Sequence, residues 1–370
     1  MRILLIGEYS NVHWTLSEGL RKLRHEVCVV SDGDSWKNYC RDIDLSRKSL
    51  GKFDTFRYLL KVKKIFKNLK DYDVVQLINP IFLDLRAKRI RPFYDMLRKN
   101  NRKLFIGAFG MDHYWVKTCL DCKTFKYSDF NIGERSRKDE PLNKIYIKDW
   151  LYGEKSGLNI DMAKDCDGVI AGLYEYYKCY YPEYPAKTAF IPFPINTADI
   201  KEKTFGDKLL PVKFFIGIQK NRSVYKGTDI MLKALERLQK DYPERCEIKK
   251  AESVPYDEYQ KMINDSDCLL DQLYSYTPAM NGLLAMSKGL VLVGGGEEEQ
   301  YEIIHENKLR PIINVLPSED DVYNQLKTLI FHPERIKTLS KESTEYILKH
   351  HDYVKVAQQY VDFWDSHGQT

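Results

Sequence analysis

A chain of 370 residues exceeds one typical domain, and 43% hydrophobic with 30% charged residues is the make-up of a folded globular protein, which excludes a disordered or fibrous one. The formal charge of +5, from 58 basic and 53 acidic residues, is too small to imply a nucleic-acid partner, and none is expected. The first apolar run turns polar after Gly7 and nowhere do about 18 apolar residues follow one another, so neither a signal peptide nor a membrane span is expected and a cytoplasmic location is.

In chain order, the first half repeats one grammar. Residues 2 to 6 form a short apolar run, followed by Gly7-Glu8-Tyr9-Ser10-Asn11, then Leu16, Leu20 and Leu23 at helical spacing, then the apolar run 26 to 31. Strand, loop, helix, strand is a βαβ unit, and such units build parallel sheets. Further strands are predicted at 74–78, 103–109, 168–172 and 187–192, with helical segments between them. After a polar stretch from Asn196 to Leu210 the pattern resumes, with strands at 212–217, 247–250, 268–273 and 290–295. The last stretch predicts two helices broken near His350-His351-Asp352. In the second of these, Tyr353, Val356, Ala357, Tyr360, Val361 and Trp364 fall on one face, which must dock against something. The expected architecture is α/β: two Rossmann-like domains, 1–196 and 197–350, facing across a cleft, with a terminal helix at 351–370 crossing back to the first.

Eight cysteines are scattered, several within apolar strand runs, where a free buried thiol is the default. Cys119 and Cys122 have metal-like spacing, but no second Cys or His pair follows at a workable distance, so no metal site is expected. The pattern Asp-x-Asp occurs before three strands, at Asp71-Tyr72-Asp73, Asp165-Cys166-Asp167 and Asp265-Ser266-Asp267. Ligands of open α/β sheets bind beyond the carboxyl ends of strands, so these acids, which precede theirs, are read as caps of the loops entering the sheet and not as a metal motif.

The most informative segment is 212–238: an apolar strand, a loop with Lys220, Arg222 and Lys226, and an amphipathic helix opened by Lys226-Gly227-Thr228-Asp229. A helix N-terminus with cations beside it holds phosphate. The other loops at the carboxyl edges of strands complete the candidate set. They are the loop Gly7 to Asn11 with Glu8, Tyr9 and Ser10, then Asn79-Pro80, then Gly107 to Trp115 with Asp112, His113 and Tyr114. The second half adds Gly217 to Gly227, Asp271 to Gly282 with Gln272 and Asn281, and Gly294 to Glu299 with Glu297 and Glu298. Gly7 is the only glycine of the first loop, which argues against a dinucleotide fingerprint, where three are needed.

With these residues in place, the chain resembles the GT-B glycosyltransferases over nearly its whole length, and among them the retaining family 4-like group common in bacterial polysaccharide and capsule assembly. The resemblance rests on the start MRILLIG with the following SEGLRKLRHEVCVVS, the strands GVIAG and KTAFIPFPIN, and the KG-led helix at Lys226. It implies a nucleotide-diphosphate sugar as donor substrate and a glycan or lipid-linked glycan as acceptor, with no cofactor and no metal. It also leaves room for peripheral association with the inner membrane surface.

Arg222 and Lys226, with Lys220 as the alternative to Arg222 and Gly227 beside them, then hold the donor diphosphate. Fixed cations and a helix N-terminus stabilise the charge that grows on the departing diphosphate. Gly217, Asp271, Gln272, Asn281, Glu297 and Glu298 are candidates for the sugar or nucleoside; Tyr9, Ser10 and Tyr114 for the acceptor. Asp112, His113 and Glu8 are the candidate catalytic groups, as a base if the reaction inverts or as orienting groups if it retains. One departure stands out. The family places two glutamates eight positions apart, and here those positions are Tyr276 and Leu284, neither of which can act as a carboxylate.

Overall fold

The computed structural model describes residues 1–49, 51–206, 209–252, 254 and 256–368, without the side chains of Lys220, Tyr256 and Asp257. Among the described residues, fifteen strands appear in chain order. The first five are β1 (Arg2–Ile6), β2 (Glu26–Ser31), β3 (Ile43–Asp44), β4 (Val74–Leu77) and β5 (Lys103–Ala108). Three short ones follow, β6 (Tyr127–Ser128), β7 (Asn131–Ile132) and β8 (Arg135–Ser136), then β9 (Gly168–Ala171) and β10 (Thr188–Phe190). The last five are β11 (Val212–Ile218), β12 (Cys246–Glu252), β13 (Cys268–Leu270), β14 (Val291–Gly294) and β15 (Ile313–Asn314).

The chain divides into two compact units, and both are discontinuous in sequence. One comprises Met1–Thr118, Ile145–Asn196 and Tyr353–Thr370; the other comprises Cys119–Lys144 and Thr197–Asp352. Each contains one parallel α/β sheet, with strand orders β10-β9-β5-β4-β1-β2-β3 and β12-β11-β13-β14-β15. The strands β1, β4, β5, β9 and β14 are buried almost end to end, as expected where helices cover both faces of a parallel sheet.

The three Asp-x-Asp pairs perform one repeated task. The second carboxylate of each accepts the N–H of a residue at the start of the neighbouring strand: Asp73 from Arg2 at 2.7 Å, Asp167 from Leu104 at 2.7 Å, Asp267 from Lys213 at 3.0 Å. The backbone N–H groups of the same three aspartates donate to the carbonyls of Arg2, Leu104 and Lys213, which sets the register at the amino edge of each sheet. That edge is opposite to the one where ligands bind.

In the first unit the helix Tyr353–Ser366 buries the predicted face, with Trp364 against Phe105. The Lys103 ammonium donates to the Trp364 carbonyl at 2.6 Å. The helix start lies against Gly19 of helix Val12–Lys22, where a Cβ would come within 2.1 Å of the Tyr353 carbonyl oxygen, so only glycine fits. In the second unit the core is built from Phe214, Ile216, Met231, Leu235, Leu270 and Val293, closed by Leu326 and Ile330 of helix Glu319–Phe331. Among the described residues, no helix is long and apolar enough to cross a membrane.

The segment Cys119–Lys144 departs from the helical reading of the stretch between β5 and β9. It folds as the small antiparallel sheet β6-β7-β8, with Gly133 at φ +56° in the turn, and clusters with the second unit.

Candidate functional site

In each sheet the strand order reverses at one place, between β1 and β4 in the first and between β11 and β13 in the second. Ligands of open α/β sheets bind outside the carboxyl ends of strands at such a switch. The switch in the second unit therefore selects the loop after β11, with its basic residues, and the loop after β13, which starts at Asp271.

The loop after β11 is not an open loop. Lys220–Arg222 forms a 3-10 turn and Ser223–Lys226 one helical turn, stopped by Gly227 at φ +73°. The 14-residue helix Thr228–Asp241 then begins within the expected opening Lys226-Gly227-Thr228-Asp229, and no side chain caps it. Lys226 ends the short turn, and its carbonyl accepts the Leu273 N–H at 3.0 Å, tying together the two loops that flank the switch. Gly227 is fixed twice, by its left-handed backbone and by Leu273, whose Cβ would lie 2.6 Å from an added Cβ. Arg222 is exposed, its guanidinium 5.3 Å from the Tyr225 ring centre, while the Lys220 side chain lies outside the described residues.

On the other side of the switch, Asp271 Oδ1 accepts from the Asn281 amide at 3.1 Å, and Asn281 Oδ1 accepts from the Tyr259 hydroxyl at 2.9 Å. Gly217 lies beneath the Tyr259 ring, 3.4 Å from where its Cβ would be. Burial raises the Asp271 carboxyl above its ordinary value, opposed by the charge of Lys226, the Asn281 amide and the Gly282 N–H. Asp271, Asn281, Gly217 and Lys226 are thus brought together at one sheet edge. Gln272 follows Asp271 and is half-buried.

Glu297 and Glu298 lie at the start of helix Glu298–Ile303, after β14. Glu297 is held from three directions: Tyr127 hydroxyl at 2.6 Å, Lys126 ammonium at 2.9 Å and Asn314 amide at 3.0 Å. Burial raises its carboxyl, but those three donors outweigh it and keep the group below its ordinary value. Glu298 is exposed and pairs with Arg310 at 3.1 Å. The glycines before them serve close packing: a Cβ on Gly295 would meet the Ser275 carbonyl oxygen at 2.1 Å.

Three residues of the small sheet segment join this site although the sequence reading did not single them out. Asp129 accepts the Tyr225 hydroxyl at 2.6 Å. Burial pushes its carboxyl up to about 6, opposed by that hydroxyl and by the charges of Arg222, Arg137 and Lys226. Arg137 donates to the Val224 carbonyl at 2.8 Å, in the basic turn itself, and its guanidinium sits 4.1 Å from the centre of the Tyr274 ring. Lys126 donates its N–H to the Tyr276 hydroxyl at 2.6 Å. Tyr276, at one of the family's glutamate positions, is consequently buried, with Phe125 and Tyr127 against its ring. Leu284, at the other, is half-buried in helix Met280–Ser287. The signal available in the sequence was no period but a single turn residue, Gly133, which stands between the two-residue strands β7 and β8.

In the first unit the switch brings the loops after β1 and β4 together. Glu8 is 2% exposed and its two oxygens accept the N–H groups of His13 and Trp14, at 3.2 and 2.9 Å, at the start of helix Val12–Lys22. Burial pushes the Glu8 carboxyl up to about 8, against those two donors. His13 Nδ1 bonds the Gly7 carbonyl at 2.8 Å while its Nε2 is buried without a hydrogen-bond partner, and burial lowers the ring to about 3. Ser10 and Asn11 both take left-handed backbone, φ +52° and +70°, unusual for two successive non-glycine residues. The Ser10 N–H donates to Asp34 at 2.8 Å, and Tyr9 lies beside Gly110 of the loop after β5.

Asp112 opens helix His113–Cys119 as a buried cap: Oδ1 accepts the Trp115 N–H at 2.8 Å and Oδ2 the Tyr180 hydroxyl at 2.7 Å. Burial pushes the carboxyl up to about 6, opposed by those donors. His113 is half-buried, with Nδ1 2.9 Å from the Trp150 carbonyl oxygen. Tyr114 is 1% exposed, its hydroxyl 2.6 Å from that of Tyr184 and its ring packed on Tyr180, so it offers packing and not an open face for a sugar. Among the described residues, no group of three or more His, Cys, Asp or Glu side chains is placed to hold a metal ion.

No protein-family model matches the chain, and no curated protein matches it in sequence. Solved structures do match over its full length. HepE from Anabaena, in complex with UDP and glucose, aligns with a TM-score of 0.58 at 12% identity, covering 99% of this chain and all of that one. Sucrose-phosphate synthase from Thermosynechococcus elongatus aligns with a TM-score of 0.63 at 12% identity, covering 99% of both chains. A protein from Listeria monocytogenes described as a putative UDP-N-acetylglucosamine 2-epimerase aligns with a TM-score of 0.54 at 11% identity, covering 97% of this chain and 94% of that one. At such identities the likeness is one of fold. The chain has the α/β fold of these proteins, with two Rossmann-like units of the GT-B type.

Proposed function

We propose that the protein is a glycosyltransferase that moves a hexose from a nucleotide-diphosphate sugar to a glycan or lipid-linked glycan acceptor, without a metal and with retention, in bacterial polysaccharide assembly. The observation that carries the reading is the switch point of the second unit. There Arg222 and Lys226 flank the uncapped start of a 14-residue helix, opposite Asp271 and Asn281. A diphosphate fits that chemistry: helix N–H groups and two cations for its oxygens, with Asp271 and the Asn281 amide within the same edge for hydroxyls of sugar or ribose.

As the glycosidic bond to the donor breaks, negative charge accumulates on the leaving diphosphate, and donors already fixed in place stabilise it without reorganising. Asp129, screened by Tyr225, balances the cation cluster while no anion is bound. We assign the acceptor to the first unit, where Tyr9, Ser10 and His113 line the carboxyl edge, and Glu8 and Asp112 shape that edge as buried caps. Glu297 is assigned to holding the segment 119–144 in place.

A second reading, an inactive homologue that binds nucleotide or sugar, is favoured by Tyr276 and Leu284 at the positions of the two family glutamates. Thermal shift with UDP, GDP, ADP and CMP tests the common part, since a ligand bound to the native state raises the melting temperature. One nucleoside diphosphate should stabilise the protein well above CMP; no stabilisation by any of the four would refute the transferase and the nucleotide-binding form of the second reading. Release of the nucleotide from its sugar in the presence of acceptor separates transferase from binding protein.

A further inference from the structure

Helix Lys52–Phe66 of the first unit has one face too many. Its inner face buries Tyr58, Val62 and Phe66, which accounts for the packing. On the outside, Phe53, Phe56 and Leu60 are 70%, 59% and 53% exposed. Their spacing of three and four residues puts them in one row, and the same row continues through exposed Lys63, Lys64 and Lys67. Single exposed apolar residues are ordinary, but three large ones in line on one helix make a patch.

The charge around the patch is equally one-sided. Residues 52–70 carry seven cations (Lys52, Arg57, Lys61, Lys63, Lys64, Lys67 and Lys70) and one acid, Asp54, so the excess of six here exceeds the +5 of the entire chain. Asp54 is taken up by the Ser49 hydroxyl and Lys61 by Asp44. The other six cations are exposed. The Arg57 guanidinium lies 5.3 Å from the Phe53 ring centre, so cation and ring form one surface.

We propose that this helix docks the protein on a lipid bilayer bearing anionic headgroups. Its apolar row would enter the boundary between headgroups and acyl chains while the lysines and Arg57 meet the phosphates. The combination selects this partner. A second copy would set the same excess of positive charge against itself, and a polyanion without an apolar layer would leave Phe53, Phe56 and Leu60 in water.

Flotation with phosphatidylcholine vesicles, with and without phosphatidylglycerol, tests the proposal on the full chain. The protein should float with the anionic vesicles at low salt and be released as salt rises. Lys63→Gln, Lys64→Gln and Lys67→Gln together should weaken the partition by on the order of 100-fold. Phe56→Ser with Leu60→Ser should weaken it too, leaving a weaker, fully salt-sensitive attachment. Because all five positions are exposed, both variants should keep the wild-type melting temperature and nucleotide affinity. Failure of the wild type to float with anionic vesicles, or unchanged flotation of both variants, overturns the proposal. So does a dimer of the free protein that Phe56→Ser with Leu60→Ser dissolves without changing flotation.

Discussion

Lys226→Ala is the sharpest perturbation of the proposed donor site. The residue ends a helical turn that Gly227 closes by its own backbone, and the bond from Leu273 runs to the Lys226 carbonyl, so neither depends on the ammonium group. The fold should therefore survive, with a melting temperature close to that of the wild type. A charge-assisted hydrogen bond is worth about 1.5–3 kcal/mol, which corresponds to roughly 10- to 150-fold weaker binding of the diphosphate. A second effect adds to it. Lys226 lowers the proton affinity of both Asp271 and Asp129, so its loss moves both carboxyls further up, and Asp129 starts from about 6. Nucleotide binding should accordingly become more dependent on pH near neutrality in the variant. Isothermal titration with whichever of UDP, GDP or ADP stabilises the protein, across a pH series, measures both effects. Affinity within about twofold of wild type at every pH, with the fold intact, would mean that the cation stands in solvent and the reasoning from the switch point is wrong.

Arg137→Ala should weaken the same nucleotide while also exposing residues 119–144 to protease, because Arg137 joins that segment to the Val224 carbonyl and to the Tyr274 ring; equal digestion rates would detach it from this role. Gly227→Ala combines left-handed strain with a clash against Leu273, and should cost about 2–4 kcal/mol in denaturant unfolding, whereas a cost below 1 kcal/mol would count against that geometry. Glu8 gives a pH prediction. Its carboxyl is pushed from 4.5 to about 8, so between those values the native state keeps a proton that the unfolded chain has released. Its contribution to stability is therefore full below 4.5 and is lost as pH rises towards 8. Chemical denaturation from about pH 5 to about pH 8 should show a shallower decline for Glu8→Gln than for the wild type, and parallel curves would exclude a buried proton there.

The two sheets were legible because a parallel strand covered on both faces must be apolar where it crosses the core, as in residues 3–6 and 214–216. The Asp-x-Asp pairs were legible for a related reason: their place before a strand fixes which sheet edge they reach. The segment 119–144 was not. Its strands have two residues each, too short for a period, and its attachment to the second unit rests on contacts across about 90 to 170 positions, such as Arg137 with Val224 and Tyr127 with Glu297. The helical turn Ser223–Lys226 is too short to show a helical period. The candidate acids illustrate a further limit. Glu8, Asp112 and Glu297 stand at strand exits as the pattern implied, but only the structure reveals that the oxygens of all three are engaged within the protein.

The division of the chain into interleaved units also sets an order of construction. The backbone passes from one unit to the other after Thr118, Lys144, Asn196 and Asp352. A ribosome that has finished residue 352 has supplied the second unit completely, while the first still lacks the helix that covers Gly19 and Phe105. The half of the molecule that begins first is thus the last to close, and until then it leaves an apolar face of its sheet open to chaperones or to premature pairing.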